Sequence, residues 1–238
     1  MSSKGSSKQL TPNAALLLMF VRTFFSWIFL AIILFISAGR IDWKLGWVFF
    51  IIWGVLKLVS LLLLRWQDPD LLVERATRHG NTQSYDRIII PVYFIMSFCT
   101  IGVAGIDAGC FQWSGFLPAS IIVIAYIIYL LGNVLVSWAV TVNSFFSSES
   151  CLQSDRGQNV TRYGPYQYIR HPAYLAAILI WLVTGPMLGS WWAVIPGFLA
   201  ALLMFIRTVF EDRMLQVELA GYSDYAKEIP YRLFPGIW

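Results

Sequence analysis

Pro172–Phe210 reads PAYLAAILIWLVTGPMLGSWWAVIPGFLAALLMFIRTVF, two apolar runs interrupted by Gly185-Pro186-Met187-Leu188-Gly189-Ser190. The first run, Pro172 to Thr184, holds about thirteen residues and as a helix reaches only ~20 Å at ~1.5 Å per residue. The second, Trp191 to Phe210, meets the requirement of about 20 apolar residues for crossing hydrocarbon. A Gly- and Pro-containing break between two such runs predicts a helical hairpin that returns to the side from which it started. Neither run alternates polar with apolar residues, as the strands of a membrane barrel must.

Working outward, Ala14–Ser37, Gly46–Leu64, Ile88–Ile106 and Phe116–Val142 are further apolar runs of spanning length. The chain is therefore expected to be an all-α, polytopic integral membrane protein with five to six transmembrane helices and a C-terminal helical hairpin. Composition agrees: 58% of residues are hydrophobic, 13% are charged, and the mean hydropathy is +0.66. Soluble domains carry about 25% charged residues, so too few polar groups remain here to cover a surface facing water. Eleven Trp, 11 Tyr and 17 Phe suit aromatic belts at the two membrane interfaces. Ala14–Ser37 is too long for a signal-peptide core and lacks a small-residue cleavage pattern, so it reads as an uncleaved first span.

The formal charge of +4 is not gathered into a Lys/Arg cluster, and no nucleic-acid partner is expected. It reflects the distribution of basic residues about the membrane instead. With a cytoplasmic N-terminus, twelve Lys and Arg fall on the inner side, from Lys4 and Lys8 through Arg65, Arg75, Arg78 and Arg170 to Arg232. Two, Arg40 and Lys44, fall outside, and Arg22, Lys57 and Arg207 lie within apolar runs. This bias predicts that both termini are cytoplasmic. Cys99, Cys110 and Cys151 have no paired or C-x-x-C spacing, so neither a disulfide framework nor a metal site is indicated. The predicted spans contain no G-x-x-x-G pair, which leaves the oligomeric state open.

Two inner loops are long. In Trp66–Arg87, Asp70 is expected to cap a short interfacial helix that turns Arg75 and Arg78 toward lipid headgroups. The second loop, Asn143 to Arg170, is polar and runs directly into the hairpin. The chain is accordingly divided into residues 1–142, the N-terminal transmembrane helices with their interfacial loop, and residues 143–238, the loop, hairpin and tail in which chemistry is expected. Asn159-Val160-Thr161 matches a glycosylation sequon, but its expected cytoplasmic position argues against that use.

Of the two histidines, His79 sits in a polar loop and reads as solvated, whereas His171 stands where the second loop enters the membrane. Pro172 suits a first helical turn, since its missing N–H is one that the helix leaves unpaired. The exposed N–H groups and positive dipole end beside it favour an anionic group. Without a ligand, Arg170 would reach lipid phosphate, His171 would cap the helix and Tyr174 would join the aromatic belt. On the returning arm Arg207, Glu211, Met214 and Glu218 share one helix face. Arg207 and Glu211 are ionisable groups where an apolar helix leaves the bilayer, costly without a purpose, although a simple i,i+4 ion pair is the plain alternative. The hairpin is expected to bring Arg170, His171, Tyr174, Arg207, Glu211 and Asp212 to one interfacial pocket.

Gly164-Pro165-Tyr166-x-Tyr168-x-Arg170-His171-Pro172-Ala173-Tyr174, followed by the hairpin and then Arg207-x-x-x-Glu211-Asp212, resembles the isoprenylcysteine carboxyl methyltransferase family. That family's signature is R-H-P-x-Y followed by a pair of glutamates. Asn143-Ser144-Phe145-Phe146, Gln153-x-x-Arg156-Gly157-Gln158-x-Val160 and Leu219-x-Gly221-Tyr222-x-x-Tyr225 are similar to its prokaryotic members. The likeness runs from about Asn143 to Trp238, and Asp68-Pro69-Asp70-Leu71-Leu72 and Tyr85-Asp86-Arg87 fit it more loosely. Two features depart from the pattern: Asp212 stands in place of the second glutamate, and Gln153 aligns only with a loop two residues shorter.

The resemblance implies an S-adenosylmethionine-dependent methyltransferase with its active site at the cytoplasmic face of a prokaryotic inner membrane or the endoplasmic reticulum. It implies cofactor contacts from Gln153, Gln158, Asn159, Val160, Thr161, Tyr166, His171, Pro172, Ala173, Tyr174 and Glu211. Arg207 would be the catalytic residue facing the carboxylate to be methylated. The implied acceptor is an isoprenylcysteine or another lipid-like acid, delivered from the membrane lipids. Three alternatives stay open. The terminal Ile229–Trp238 is similar to that of NADPH-dependent sterol-type reductases, which share an R-H-P-x-Y hairpin. A phospholipid N-methyltransferase would use the same cofactor on an amine. A non-enzymatic lipid-binding protein would use the pocket for lipid alone.

Overall fold

The computed structural model describes residues 10–77, 82–147, 149–153 and 156–238. Lys4, Lys8, Arg78 and His79 lie outside the described residues. Eight α-helices are described: α1 Pro12–Ala38, α2 Lys44–Gln67, α3 Pro69–Ala76, α4 Asp86–Ala104, α5 Ala119–Val142, α6 Pro172–Met187, α7 Val194–Glu218 and α8 Tyr222–Glu228. No strand occurs among the described residues. Helix α4 continues as a π-helical segment, Gly105–Phe111. Five helices are long and apolar enough to span a membrane: α1, α2, α4 with its extension, α5 and α7. Helix α6 has 16 residues, ~24 Å at ~1.5 Å per residue, and is the short arm of the hairpin expected from the sequence.

The ends of these helices follow local chemistry. Thr11 caps α1 by accepting the Ala14 N–H at 3.3 Å, and Pro12 fills the first turn. The interfacial helix α3 is capped by Asp68, which accepts the Leu71 N–H at 2.8 Å, and not by Asp70. Pro69 decides this, because proline prefers the first helical position and hands the cap to the residue before it. Asp70 then falls in the first turn. The Arg75 guanidinium lies over the Phe146 ring, 5.3 Å from the centroid. Leu71 and Leu72 are fully buried, each contributing about 2 kcal/mol by burial, and they hold α3 beneath α1, α2 and α5.

Helix α6 runs on through Gly185 and Pro186 to Met187, so the hairpin turn is shorter than the expected Gly185–Ser190, and α7 extends two turns past Phe210. Pro186 ends up in the last turn of α6. The two arms touch backbone to side-chain-free backbone: a Cβ on Gly197 would stand 2.5 Å from the Trp181 carbonyl oxygen. The π-helical extension of α4 does the same against α1. It brings Gly105 and Gly109, four apart, onto Ser37 and Ala38, where a Cβ on Gly109 would lie 2.4 Å from that of Ala38. The small-residue pair thus straddles the expected end of the span at Ile106, and it closes an intramolecular helix pair of the kind small residues allow in lipid.

At that end of the bundle, Asp107 is fully buried and accepts from the Ser114 N–H at 2.8 Å, the Ser114 hydroxyl and the Ser190 hydroxyl at 2.5 Å. It ties the hairpin turn to the α4–α5 connection. The starts of α4 and α6 and the ends of α5 and α7 gather at the opposite end. Large apolar side chains such as Phe25, Ile51, Phe94 and Leu131 are more than half exposed, a surface that only lipid can cover.

Gly197→Val should force the hairpin arms apart at a cost of about 1–3 kcal/mol. The expected result is a lower thermal midpoint in detergent, whereas the lipid-facing change Phe198→Leu should leave the midpoint unmoved.

Candidate active site

Helix α6 starts as expected, with Pro172 in its first turn and His171 at the cap position. The His171 side chain makes no bond to the helix it precedes. Its Nε2 instead lies 3.2 Å from Asp212 Oδ1, across the hairpin on α7. Asp212 has no exposed surface, and it also accepts from Tyr222 at 3.1 Å, Gln216 at 2.7 Å and Arg232 Nε at 2.9 Å. Arg170 Nε stands 3.3 Å away, near enough for an ion pair although off the axis of a hydrogen bond. One buried carboxylate therefore faces two guanidinium groups, the balance that a charge out of water requires. Burial, followed by the Asp212 charge, raises the Tyr222 phenol well above its ordinary pKa, so it stays a donor.

The C-terminal tail locks this entry segment by its backbone. Arg170 N–H donates to the Tyr231 carbonyl at 3.0 Å and His171 N–H to that of Arg232 at 2.9 Å. Leu233 is fully buried beside Ile89, Ile178 and Met204. Tyr225 donates to the Tyr166 carbonyl at 2.7 Å, so α8 braces the loop as well.

Between the loop and α7 lies a cleft that encloses about 770 Å³ of space, part of it open to the surroundings. Ten of the residues singled out in the sequence line it together: Gln158, Asn159, Val160, Thr161, Tyr166, His171, Pro172, Ala173, Tyr174 and Glu211. Two do not. Gln153 lies behind the wall, where its Nε2 donates to the Phe145 carbonyl at 3.0 Å and its Oε1 accepts from Arg156 at 2.6 Å. It also receives Gln158 Oε1 on its own N–H at 2.7 Å, so it holds the loop that carries the lining residues.

Arg207 is the other. Its Nε and Nη2 grip Asp86 at 2.9 and 2.8 Å, a bidentate pair between side chains only 6% and 1% exposed. Charge-assisted pairs of this geometry are among the strongest hydrogen bonds a protein makes. The guanidinium also lies against the Tyr174 ring, 5.2 Å from its centroid. Asp86 Oδ2 accepts the Ser150 N–H at 2.6 Å, the Ser150 hydroxyl donates to Glu211, and Tyr174 donates to the same Glu211 oxygen at 2.6 Å. The start of α4, the loop, α6 and α7 are thus stitched by one continuous network, with the Glu211 carboxylate on its cleft side. Glu149 adds a second acid to the lining, and Cys151, whose thiol pKa burial pushes up, contributes a neutral wall.

The polar loop, the R-H-P-x-Y helix start and the acidic helix exit form one site, and the comparison with known families falls on the same segment. Residues 123–217 match the Isoprenylcysteine carboxyl methyltransferase (ICMT) family. The ICMT match begins inside α5, passes through the loop and α6, and stops at the end of α7. Together with the five spans it shows a polytopic helical membrane protein whose residues 123–217 are similar to that family. A search of curated proteins returned no match. Asp86, Tyr222 and Arg232, all essential to the geometry just described, lie outside the ICMT segment. Asp86 was marked only by the loose fit of Tyr85-Asp86-Arg87, which gave no hint of its role, since its partner is 121 residues away.

Asp212→Asn should leave the Arg170 and Arg232 charges without their shared counter-ion, a loss of about 3 kcal/mol. A thermal midpoint in detergent well below that of wild type is the expected outcome, and an unchanged midpoint would remove Asp212 from its central place.

Proposed function

We propose that this protein is an S-adenosylmethionine-dependent methyltransferase that methylates the carboxylate of an isoprenylcysteine or other lipid-like acid. In this reading the active site and both termini are cytoplasmic, residues 1–142 form the membrane scaffold, and residues 143–238 form the catalytic core. The observation that carries it is the charge of the cleft where the hairpin leaves the bilayer. Its lining holds the acids Glu149 and Glu211, while Arg170, which also lines it, and Arg232 are paired with Asp212. A negative lining suits the sulfonium and ammonium of S-adenosylmethionine and opposes the phosphates of NADPH. Aromatic walls from Phe145 and Tyr166, with Met214 and Leu215, offer a stacking surface for a purine, and Asn143 and Thr161 offer polar partners for a ribose.

The bound cofactor would supply an electrophilic methyl group. The protein has little proton chemistry to perform, because an acceptor carboxylate is already ionised at neutral pH. Its task is to strip water from that carboxylate and aim it, which is worth several powers of ten in rate. Glu211, oriented by Tyr174 and Ser150, would hold positive charge on the cofactor side. Arg207 would supply the positive potential that aims the acceptor, and Asp86 would set where that charge sits by fixing one edge of the guanidinium. Arg207 is in this sense the proposed catalytic residue and Asp86 a positioning residue. A second reading, N-methylation of a lipid amine, is favoured by one observation: Glu149 puts a second acid in the lining of the active-site cleft, where an ammonium group would find it.

Titration of the detergent-solubilised protein should give stabilisation by S-adenosylmethionine, growing with its concentration over Kd, and none by NADPH. Glu211→Gln should weaken that binding at least tenfold. Arg207→Ala should lower methyl transfer to a prenylcysteine acid by about 100-fold while S-adenosylmethionine still binds. Methyl transfer that survives both Arg207→Ala and Glu211→Ala would sink the reading, and transfer to a lipid amine alone would establish the second one.

A further inference from the structure

A second cleft lies against the first on its bilayer side, enclosing about 1350 Å³ with the space open to its surroundings included. Val21 and Phe25 of α1 and Phe94 of α4 line its mouth. Phe25 and Phe94 are 64% and 52% exposed, so the opening is apolar and faces lipid. Its inner wall includes Ser147 and Glu149, which also line the candidate active-site cleft. Only the loop wall separates the two.

Two guanidinium groups stand inside this apolar opening. Arg22 lies in the α1 span, where a charge is costly unless it faces a partner or a pathway. Its Nη1 donates to the Ala76 carbonyl at 3.0 Å, at the last turn of α3, which occupies one of its five N–H groups. Arg75 of α3 is stacked on Phe146, and its Nε is buried and meets no acceptor among the described residues. A buried donor without an acceptor costs about 1–3 kcal/mol. Burial also lowers the Arg75 pKa, the electrostatic sign of a cation short of a counter-ion. Of the acids in the cleft lining, Glu149 accepts from the Thr82 hydroxyl and Glu74 Oε1 lies 3.8 Å from Arg156 Nη1.

A purely structural role accounts for the Arg22 bond, which ties α1 to α3, and for the cation–π stack of Arg75. It leaves the buried Nε and the apolar, lipid-facing mouth unexplained. We propose that this cleft is a lipid-headgroup site in which Arg22 and Arg75 hold the phosphate of one bilayer phospholipid, its tails lying against Phe25 and Phe94. The apolar mouth selects a lipid over a free anion, and the cation pair selects a phosphate-bearing lipid over an uncharged one. The headgroup then rests beside Glu149, on the shared wall of the active-site cleft. The proposal goes beyond the methyltransferase reading and does not need it, since its readout is lipid retention.

The full chain in detergent is titrated with phosphatidylglycerol and, separately, with a diacylglycerol of the same tails, and retained lipid is counted by native mass spectrometry. Wild type should keep one phosphatidylglycerol and release the diacylglycerol, and excess inorganic phosphate should not displace the bound lipid. The double variant Arg22→Gln/Arg75→Gln should lose phosphatidylglycerol affinity at least tenfold with S-adenosylmethionine binding unchanged, and Arg75→Lys should restore part of what Arg75→Gln loses. Should the double variant fail to fold, Arg75→Gln alone is read, because the cation–π stack is its only other role. Equal retention by wild type and variant, equal retention of diacylglycerol, or full displacement by phosphate overturns the proposal. Failure of S-adenosylmethionine to bind any of these proteins counts against the proposed function and leaves the lipid result standing.

Discussion

Asp212 sits with no exposed surface at the meeting point of four segments: the loop end at Arg170 and His171, its own helix α7, helix α8 through Tyr222, and the tail through Arg232. A carboxylate in such a place is tolerable only when cations and donors surround it, and those come from residues far apart in the chain. Satisfying it therefore fixes where the start of α6 lies relative to the end of α7. It also turns the other acid of the pair, Glu211, away from the interior and into the cleft. The neighbouring acids of one helix exit thus divide their work, one holding the frame and one facing the space that a ligand would fill.

The Asp86–Arg207 pair does for the membrane scaffold what Asp212 does for the tail. It joins α4, otherwise a lipid-facing span, to the active-site helix, and through the Ser150 N–H it reaches the loop. The guanidinium that would aim an acceptor is thereby held in place from outside the segment that matches the family, residues 123–217. In the proposed reading the acids of the lining, with Arg170 paired to Asp212, favour a cationic cofactor over a polyphosphate one. The same reasoning applied to Arg22 and Arg75 leads to the neighbouring cleft, where no ion pair of either cation is found among the described residues and Phe25 and Phe94 face lipid.

Periodicity and length alone carried the architecture. Continuous apolar runs of spanning length can only be lipid-embedded helices, and a short run, a Gly-Pro break and a long run can only be a hairpin, so the spans and the site's two arms were readable without coordinates. Helix ends were less so: Asp68 took the cap from Asp70 because Pro69 claimed the first turn, and α6 ran through Pro186 because a proline in the last turn disturbs little of the helix.

The sequence by itself determined which residue types meet at the membrane surface, through the R-H-P-x-Y motif and the Arg207–Glu211 spacing. Only the tertiary structure decided how they are used. It placed Gln153 behind the cleft, turned Arg207 onto Asp86, and laid Arg75 over Phe146. The reason is physical: the partner of a buried charge is whichever opposite charge or ring the packing of distant helices brings within about 4–6 Å, and such pairings leave no trace in local spacing.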